Sequence, residues 1–375
     1  MSKKASAKAG KISISSMREL INKKAGMSVA HNLTEDNPTE VKEWIPTGSR
    51  WLDSIICKGK LAGIPVGKVV EIAGLEATGK SYMAAQIAAN AQKMGIDVVY
   101  FDSESAIDPS FLERTGCNLD NLLYIQATSV EFVLETIEEL LGSGENKWLF
   151  IWDSLALTPA ISDIEGDFNP QSSMAVKARI LAKAMSKITV PIANSQSTFL
   201  VLNQLKANIT RNPTEALTTP LVTPGGKAMI YAYSLRIWLT GRKAKASFVV
   251  DEKGFRIGSE VKVKLEKSRF GTQGRQCTFK ILWGDEIGVQ DEESWFEAIK
   301  DHLDRSGSWY TLVYEDGTEE KFQPSRWTEA LENDKFKNRV LEIMDREVIQ
   351  KFDTREGDAK SFYSVDEDGD DSQES

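Results

Sequence analysis

The octapeptide Gly74-Leu75-Glu76-Ala77-Thr78-Gly79-Lys80-Ser81 constrains this chain more than any other feature. It has the form G-x-x-x-x-G-K-S, and its flanks suit that form. The apolar run Val69-Val70-Glu71-Ile72-Ala73 reads as a strand leading in. Ser81 to Met94 reads as a helix leading out, with Met83, Ile87, Ala88, Ala91 and Met94 on one face and Gly95 as its stop. Glycines in such a loop let backbone N–H groups wrap a polyphosphate, and the helix N-terminus adds positive potential. Lys80 is placed to reach the β- and γ-phosphates, and the Ser81 hydroxyl to ligate Mg²⁺. The eight residues Gly74, Leu75, Glu76, Ala77, Thr78, Gly79, Lys80 and Ser81 are therefore expected to bind a nucleoside triphosphate.

Strands and helices alternate from Ile45 to about Trp283. Strands are expected at 69–73, 97–102, 147–153, 198–203 and 234–240, with a hairpin near 246–250 and 260–266 and a sheet extension at 276–283. That order predicts an α/β fold, a mostly parallel central sheet with helices on both faces, over residues 45–284. Residues 1–44 hold a basic arm (Lys3, Lys4, Lys8, Lys11) and a short helix starting at Ser15-Ser16, with Glu19 three residues after Ser16 as in a capping box. That helix either docks onto a neighbouring subunit or folds back on its own core. Residues 285–353, marked by Trp295, Trp309, Tyr310, Trp327 and the turn Glu315-Asp316-Gly317, form a small α+β unit. Residues 354–375 are an acidic tail with no fold of its own.

Composition narrows the function classes. No apolar run approaches the ~18–20 residues of a membrane helix, and the N-terminal lysines lack the apolar run of a secretory signal. Cys57, Cys117 and Cys277 are odd in number and widely spaced, which suits a reducing cytoplasm and neither zinc nor a disulfide framework. With only His31 and His302, a histidine-based catalytic centre is not expected. The net charge of −9 misleads about nucleic acid as a partner, because acids concentrate at the C-terminus.

Further carboxylates gather at strand ends. Trp148-Leu149-Phe150-Ile151-Trp152-Asp153 runs from apolar residues into Asp153, where an aspartate beside a phosphate loop holds Mg²⁺ together with Ser81. Asp97-Val98-Val99-Tyr100-Phe101-Asp102-Ser103-Glu104 puts Glu104 just past its strand, placed to deprotonate the water that attacks the γ-phosphate of ATP or to cap the next segment. Asn203-Gln204 closes a fourth strand, and Gln204 could feel the γ-phosphate and inform the loop that follows. That loop, 205–226, is flanked by Lys206, Arg211 and Lys227 and carries Ile209 among polar residues and Gly225-Gly226 at its close. Cations and backbone N–H groups can follow a phosphate chain, and an aliphatic side chain can wedge between bases. On these residues alone, nucleic-acid binding and an ordinary surface loop both stay open.

Together these motifs resemble the RecA-type DNA strand-exchange recombinases, most closely the phage UvsX-type branch, from about Ile45 through the C-terminal unit. Ile45-Pro46-Thr47-Gly48-Ser49-Arg50-Trp51-Leu52-Asp53 resembles the family's TGS…LD segment, and Asp102-Ser103-Glu104-Ser105-Ala106-Ile107-Asp108-Pro109 its catalytic-glutamate motif. The resemblance implies that Glu104 is the general base, assisted by Lys80 and Gln204, and that Asp108 and Phe111 hold the adenine. It implies a first DNA loop at about 161–174, with Met174 near its end and Arg179 on the helix after it. The second DNA loop, at about 205–226, would use Lys206, Ile209, Arg211, Gly225, Gly226 and Lys227. Lys267 and Arg269, otherwise a pair of solvated strand-end cations, would cross a subunit interface to a neighbour's ATP. Arg269 replaces a lysine of the bacterial pattern, Phe111 replaces a tyrosine, and 214–222 departs from it.

The implied activity is a DNA-dependent ATPase that forms a helical filament on single-stranded DNA and exchanges strands with duplex DNA, with ATP and Mg²⁺ as cofactors. A single-strand-binding protein and a loading mediator are the implied partners, in the cytoplasm of a bacterial host. The other readings are a hexameric helicase and a recombination mediator that does not hydrolyse ATP. Helicases of this fold generally carry an assembly domain that a 44-residue extension does not supply, and a mediator would lack the base at Glu104. The last eleven residues hold six acids and no base, either a competitor for cationic DNA surfaces or a solubility tail.

Overall fold

A computed structural model describes residues 12–350 except 27, 36, 38, 106, 167–169, 211, 242–246 and 285–286; the side chains of 170–174, 213 and 216 are also outside it. The basic arm and the acidic tail lie outside the described residues. The chain divides into two compact units, one ending at Lys42 and one starting at Glu43. In the first, helix α1 (Ile14–Ala25) is capped by Ser13, whose hydroxyl accepts from Ser16 N–H, and Gly26 ends it in the left-handed region. The cap is thus three residues earlier than Ser16, the cap expected from sequence.

The second unit is built on one ten-stranded sheet. Strands β1 (Trp44–Ile45) and β2 (Ile64–Pro65) pair apart from it, flanking α2 (Arg50–Ile56). Then come β3 (Val69–Gly74), α3 (Lys80–Lys93), β4 (Asp97–Asp102), α4 (Pro109–Arg114), β5 (Leu122–Gln126), α5 (Val130–Gly142) and β6 (Trp148–Asp153). Helices α6 (Ile161–Glu165) and α7 (Pro170–Asn194) lead to β7 (Thr198–Gln204). The two-residue strands β8 (Lys206–Ala207) and β9 (Leu221–Val222) pair with each other around α8 (Pro213–Thr218), and α9 (Gly226–Ala232) follows. Strands β10 (Leu235–Gly241), β11 (Phe248–Val250), β12 (Arg256–Ser268), β13 (Gln276–Trp283) and β14 (Ile287–Gln290) complete the sheet.

Its order is β14-β13-β12-β10-β3-β7-β6-β4-β5, with β11 on β12. The run from β10 to β5 is parallel, and the β12–β14 side is antiparallel. Successive side chains alternate faces, so both faces carry a core. Ile72, Tyr100, Ile151, Leu202 and Ile237 pack with Met83 and Ile87 of α3. Phe101, Phe150, Trp152, Phe199 and Val201 pack with Val133 of α5 and Leu181 of α7.

The expected strands are all present, and the hairpin's second strand is longer than expected, thirteen residues. Strand β5 was missed: at the sheet edge its Leu123 and Tyr124 are exposed, so no burial alternation marks it. The first expected loop, 161–174, holds α6 and the start of α7, and the second holds α8.

Beyond β14, helices α10 (Asp291–Ile299), α11 (Trp327–Leu331) and α12 (Asp334–Met344) and the strands β15 (Asp304–Ser306), β16 (Trp309–Val313) and β17 (Glu319–Phe322) enclose an aromatic core of Trp295, Tyr310, Phe322, Trp327 and Phe336. Arg50 ties it to the main sheet, its N–H donating to Asp291 (2.7 Å) and its guanidinium to Asp345 (2.7 Å).

Candidate functional site

The turn from β3 into α3 forms the loop that the sequence announces. Ala77 and Gly79 take positive φ, 53° and 85°. A Cβ on Gly74 would lie 2.4 Å from Thr78 Oγ1, and one on Gly79 2.5 Å from Ile281 Cδ1. Space demands a glycine at position 74, and backbone geometry demands one at position 79. Thr78 Oγ1 and Lys80 Nζ both donate to Leu75 O, at 2.8 and 3.0 Å, so the lysine lies folded against its own loop. Burial pulls the Lys80 ammonium below its ordinary pKa, opposed by the charges of Asp153, Glu104 and Glu76.

Strands β6 and β4 deliver the carboxylates side by side, since Asp153 and Asp102 are register partners. Asp153 Oδ2 accepts from Ser81 Oγ (2.8 Å) and from the Tyr100 hydroxyl (2.9 Å). Burial raises the Asp153 carboxyl above its usual range, and those two hydrogen bonds oppose the rise. The Ser81 and Asp153 oxygens form a hard donor pair at the loop, the kind Mg²⁺ selects.

Asp102 organises the backbone beyond β4. Its carboxylate accepts from the N–H groups of Glu104 (2.8 Å), Ser105 (3.0 Å) and Ile107 (3.3 Å) and from the Tyr124 hydroxyl (3.0 Å). This holds the turn that presents Glu104, whose Oε1 lies 3.5 Å from Ser154 Oγ. Glu104 does not cap the next helix; Asp108 does, accepting from Ser110 N–H. The Glu104 carboxyl is raised by burial and then by neighbouring Asp153. The peptide Asp153-Ser154 is cis.

A cleft of about 680 Å³ is lined by Gly74–Ser81, Tyr82, Glu104, Asp153, Gln204, Leu205 and Trp283. The structure thus brings Lys80, Ser81, Glu104, Asp153 and Gln204 to one cavity. It does not bring Asp108 or Phe111 to its wall: Asp108 is an exposed helix cap, and Phe111 packs edge-on against Tyr82 at 4.7 Å. Tyr82 and Trp283 are the aromatics that face the cleft, and both went unremarked in the sequence. The available signal was an aromatic at a strand end followed by Gly284, whose carbonyl accepts from Arg114.

A second cavity of about 670 Å³ lies between the segment 156–178 and the loop 205–226. Lys206, Ile209, Gly225 and Gly226 line it, and Ile209 is 98% exposed. Asn208 clasps the loop, its N–H donating to Pro220 O and its side-chain amide to Thr219 O, both at 2.9 Å. Arg179 on α7 and Lys227 on α9 are exposed, whereas the side chain of Met174 and the whole of Arg211 lie outside the described residues. Lys177, also missed, lines the cavity and donates to Leu155 O and Thr158 O at 2.7 Å each. Burial lowers its pKa to about 8.

Lys267 and Arg269 sit apart from the phosphate cleft. Lys267 Nζ donates to Ile230 O (2.6 Å) and Tyr231 O (3.2 Å), and Arg269 donates to Tyr231 O (2.8 Å). These carbonyls belong to the last turn of α9, where cations are favoured. Burial, then Arg269 and Arg236, lower the Lys267 pKa to about 8.

Residues 12–288 match the RecA N-terminal domain family. The chain is 33% identical over 276 residues to the protein RecA of Colwellia psychrerythraea, covering 74% of this chain and 76% of that one. It is 34% identical over 267 residues to the protein RecA of Methylococcus capsulatus, covering 71% and 73%. No helix among the described residues is long and apolar enough to cross a membrane.

Proposed function

The chain belongs to the RecA family and is an ATP-dependent DNA recombinase and DNA-dependent ATPase; we propose that it works as a filament whose ATP is shared between subunits. The convergence of Lys80, Ser81, Glu104, Asp153 and Gln204 on one cleft carries this reading. Gly74–Ser81 hold the triphosphate, and Lys80 leaves Leu75 O to meet its outer phosphates. Ser81 and Asp153 hold Mg²⁺, which when bound neutralises phosphate charge. Glu104 orients the attacking water and accepts its proton. Tyr82 and Trp283 offer the nucleobase its stacking faces, with Phe111 behind Tyr82.

Lys267 and Arg269 reach a neighbour's γ-phosphate, so hydrolysis depends on assembly. Lys206, Ile209, Arg211, Gly225, Gly226 and Lys227, with Met174 and Arg179 across the cavity, hold single-stranded DNA by its backbone and wedge its bases, leaving homology to base pairing. Helix α1 docks on the neighbouring subunit. Arg269, Phe111 and the divergent 214–222 support a reading toward the phage UvsX-type branch, acting in a bacterial host's cytoplasm with a single-strand-binding protein and a loading mediator. The family match and the RecA relatives do not favour a helicase, and a carboxylate suited to act as base at Glu104 argues against a non-hydrolysing mediator.

The test is ATP hydrolysis with and without single-stranded DNA over a range of protein concentrations, in the wild type and Lys267→Ala/Arg269→Ala. DNA stimulation that rises cooperatively with protein and collapses in the double variant is the expected result. Equal stimulation of both proteins would remove the shared site, and none in either would remove the DNA-dependent reading.

A further inference from the structure

We propose that Glu71, Arg236 and Asn203 form a buried strut that transmits the state of the nucleotide cleft to the stem of the loop 205–226. This rests on the assignment of the cleft to ATP and of the loop to DNA. The three residues stand on the adjacent central strands β3, β10 and β7, and Glu71 and Arg236 are register partners. Glu71 and Asn203 are fully buried and Arg236 is 6% exposed. Both oxygens of the Glu71 carboxylate are engaged: Arg236 Nε donates to Oε2 at 2.6 Å, and Asn203 Nδ2 to Oε1 at 3.0 Å.

Each partner then makes a second bond, and these two bonds end on adjacent residues of the loop stem. The outer Arg236 nitrogen donates to Thr223 Oγ1 at 2.9 Å, and Asn203 Nδ2 to Pro224 O at 2.9 Å. Thr223 and Pro224 immediately precede Gly225 and Gly226, whose positive φ (112° and 79°) turns the chain into α9. On the other side, Asn203 Oδ1 accepts the N–H of Gln204 at 3.0 Å, and Gln204 lines the cleft. A continuous line of hydrogen bonds therefore runs from the cleft wall through Asn203 and Glu71 to the loop stem.

A charged pair in the middle of a sheet is a poor device for stability alone. Desolvation offsets most of its attraction, and apolar residues of similar volume often serve as well. What apolar residues would not supply is direction. The planar guanidinium spans two acceptors at fixed angles, which a lysine ammonium at the same place does not. The trio are positioning residues, since none of them lines the cleft.

The experiment measures single-stranded DNA affinity with a non-hydrolysable ATP analogue and with ADP, and takes the ratio. Arg236→Lys keeps a charge against Glu71 but gives up the reach to Thr223. The double variant Glu71→Met/Arg236→Met removes the pair without leaving an unpaired buried charge. In both, the nucleotide-dependent ratio is expected to fall by roughly tenfold, within the usual range of coupling between sites. Nucleotide affinity and DNA-free hydrolysis are expected to stay near the wild-type values. An unchanged ratio in folded variants overturns the strut, as does a parallel loss of nucleotide affinity, which would make the trio part of the cleft's scaffold. A wild type whose DNA affinity ignores the nucleotide overturns the functional reading itself.

Discussion

Around the phosphate loop, polar side chains are fastened to the sheet: Ser81 and Tyr100 hold Asp153, and Asp102 holds the backbone that carries Glu104. Past Gln204, the bonds among the described residues fasten the loop at its foot, by the two-residue pairing of β8 with β9, the Asn208 clasp and the bonds to Thr223 and Pro224. Its tip offers Ile209 and Leu217 to water, 98% and 83% exposed. The same chain thus fixes the groups that do chemistry and leaves adjustable those that meet a long, irregular ligand. On the roles proposed above, preorganisation serves the hydrolysis, and a tethered loop serves a long ligand that must be held and released.

The largest effect that sets the two regions apart should come from Glu104→Gln. Loss of the base is expected to slow hydrolysis by about 10²–10⁴-fold with little change in DNA affinity. Hydrolysis near the wild-type rate would move the base elsewhere. Lys206→Ala/Ile209→Ala should do the reverse, weakening single-stranded DNA binding by on the order of tenfold while sparing DNA-free hydrolysis. Equal damage to both activities would mean that the regions are not separable. Tyr100→Phe removes one of the two hydrogen bonds on Asp153. Its expected cost of about 1 kcal/mol should appear as a several-fold rise in the Mg²⁺ concentration for half-maximal hydrolysis. An unchanged Mg²⁺ dependence would show that Ser81 alone positions the carboxylate.

The last effect acts on stability, belongs to neither region and serves as their control. Burial raises the Asp53 carboxyl from 3.8 to about 8, against the hydrogen bonds from Thr47. The unfolded chain releases that proton near 3.8, whereas the folded chain keeps it to about 8. The folded state therefore binds more protons across this window, and stability falls as pH rises through it. Asp53→Asn should flatten the pH dependence of the urea midpoint there, leaving the contrast between cleft and loop intact. A slope identical to the wild type would assign the titration to another group.

The cleft was legible because its chemistry is written locally. The phosphate loop is contiguous, and Asp153 and Glu104 each stand at the end of an apolar strand, so strand order alone brings them together. Trp283 was not legible, since its place opposite Tyr82 depends on how an antiparallel strand folds back beside α3. Lys177 was not legible either, because its partners, the Leu155 and Thr158 carbonyls, reach it only through the packing of α7. Glu71 passed as an incidental polar residue inside an apolar run, because its partner lies 165 positions away. Phe111 and Asp108 mark the opposite limit. Correct spacing puts them near the cleft, where Phe111 packs edge-on against Tyr82 and Asp108 caps the helix beyond Glu104.

Lys267 and Arg269 are already satisfied in the lone chain by the carbonyls that end α9. If they meet a neighbour's ATP as proposed, they exchange one set of partners for another, and the net gain is the difference between two bonded states. Such a difference is small and changes sign when the incoming anion loses charge. The joint between subunits is suited to repeated opening and closing, and a chain of such joints can be taken apart as readily as it is assembled.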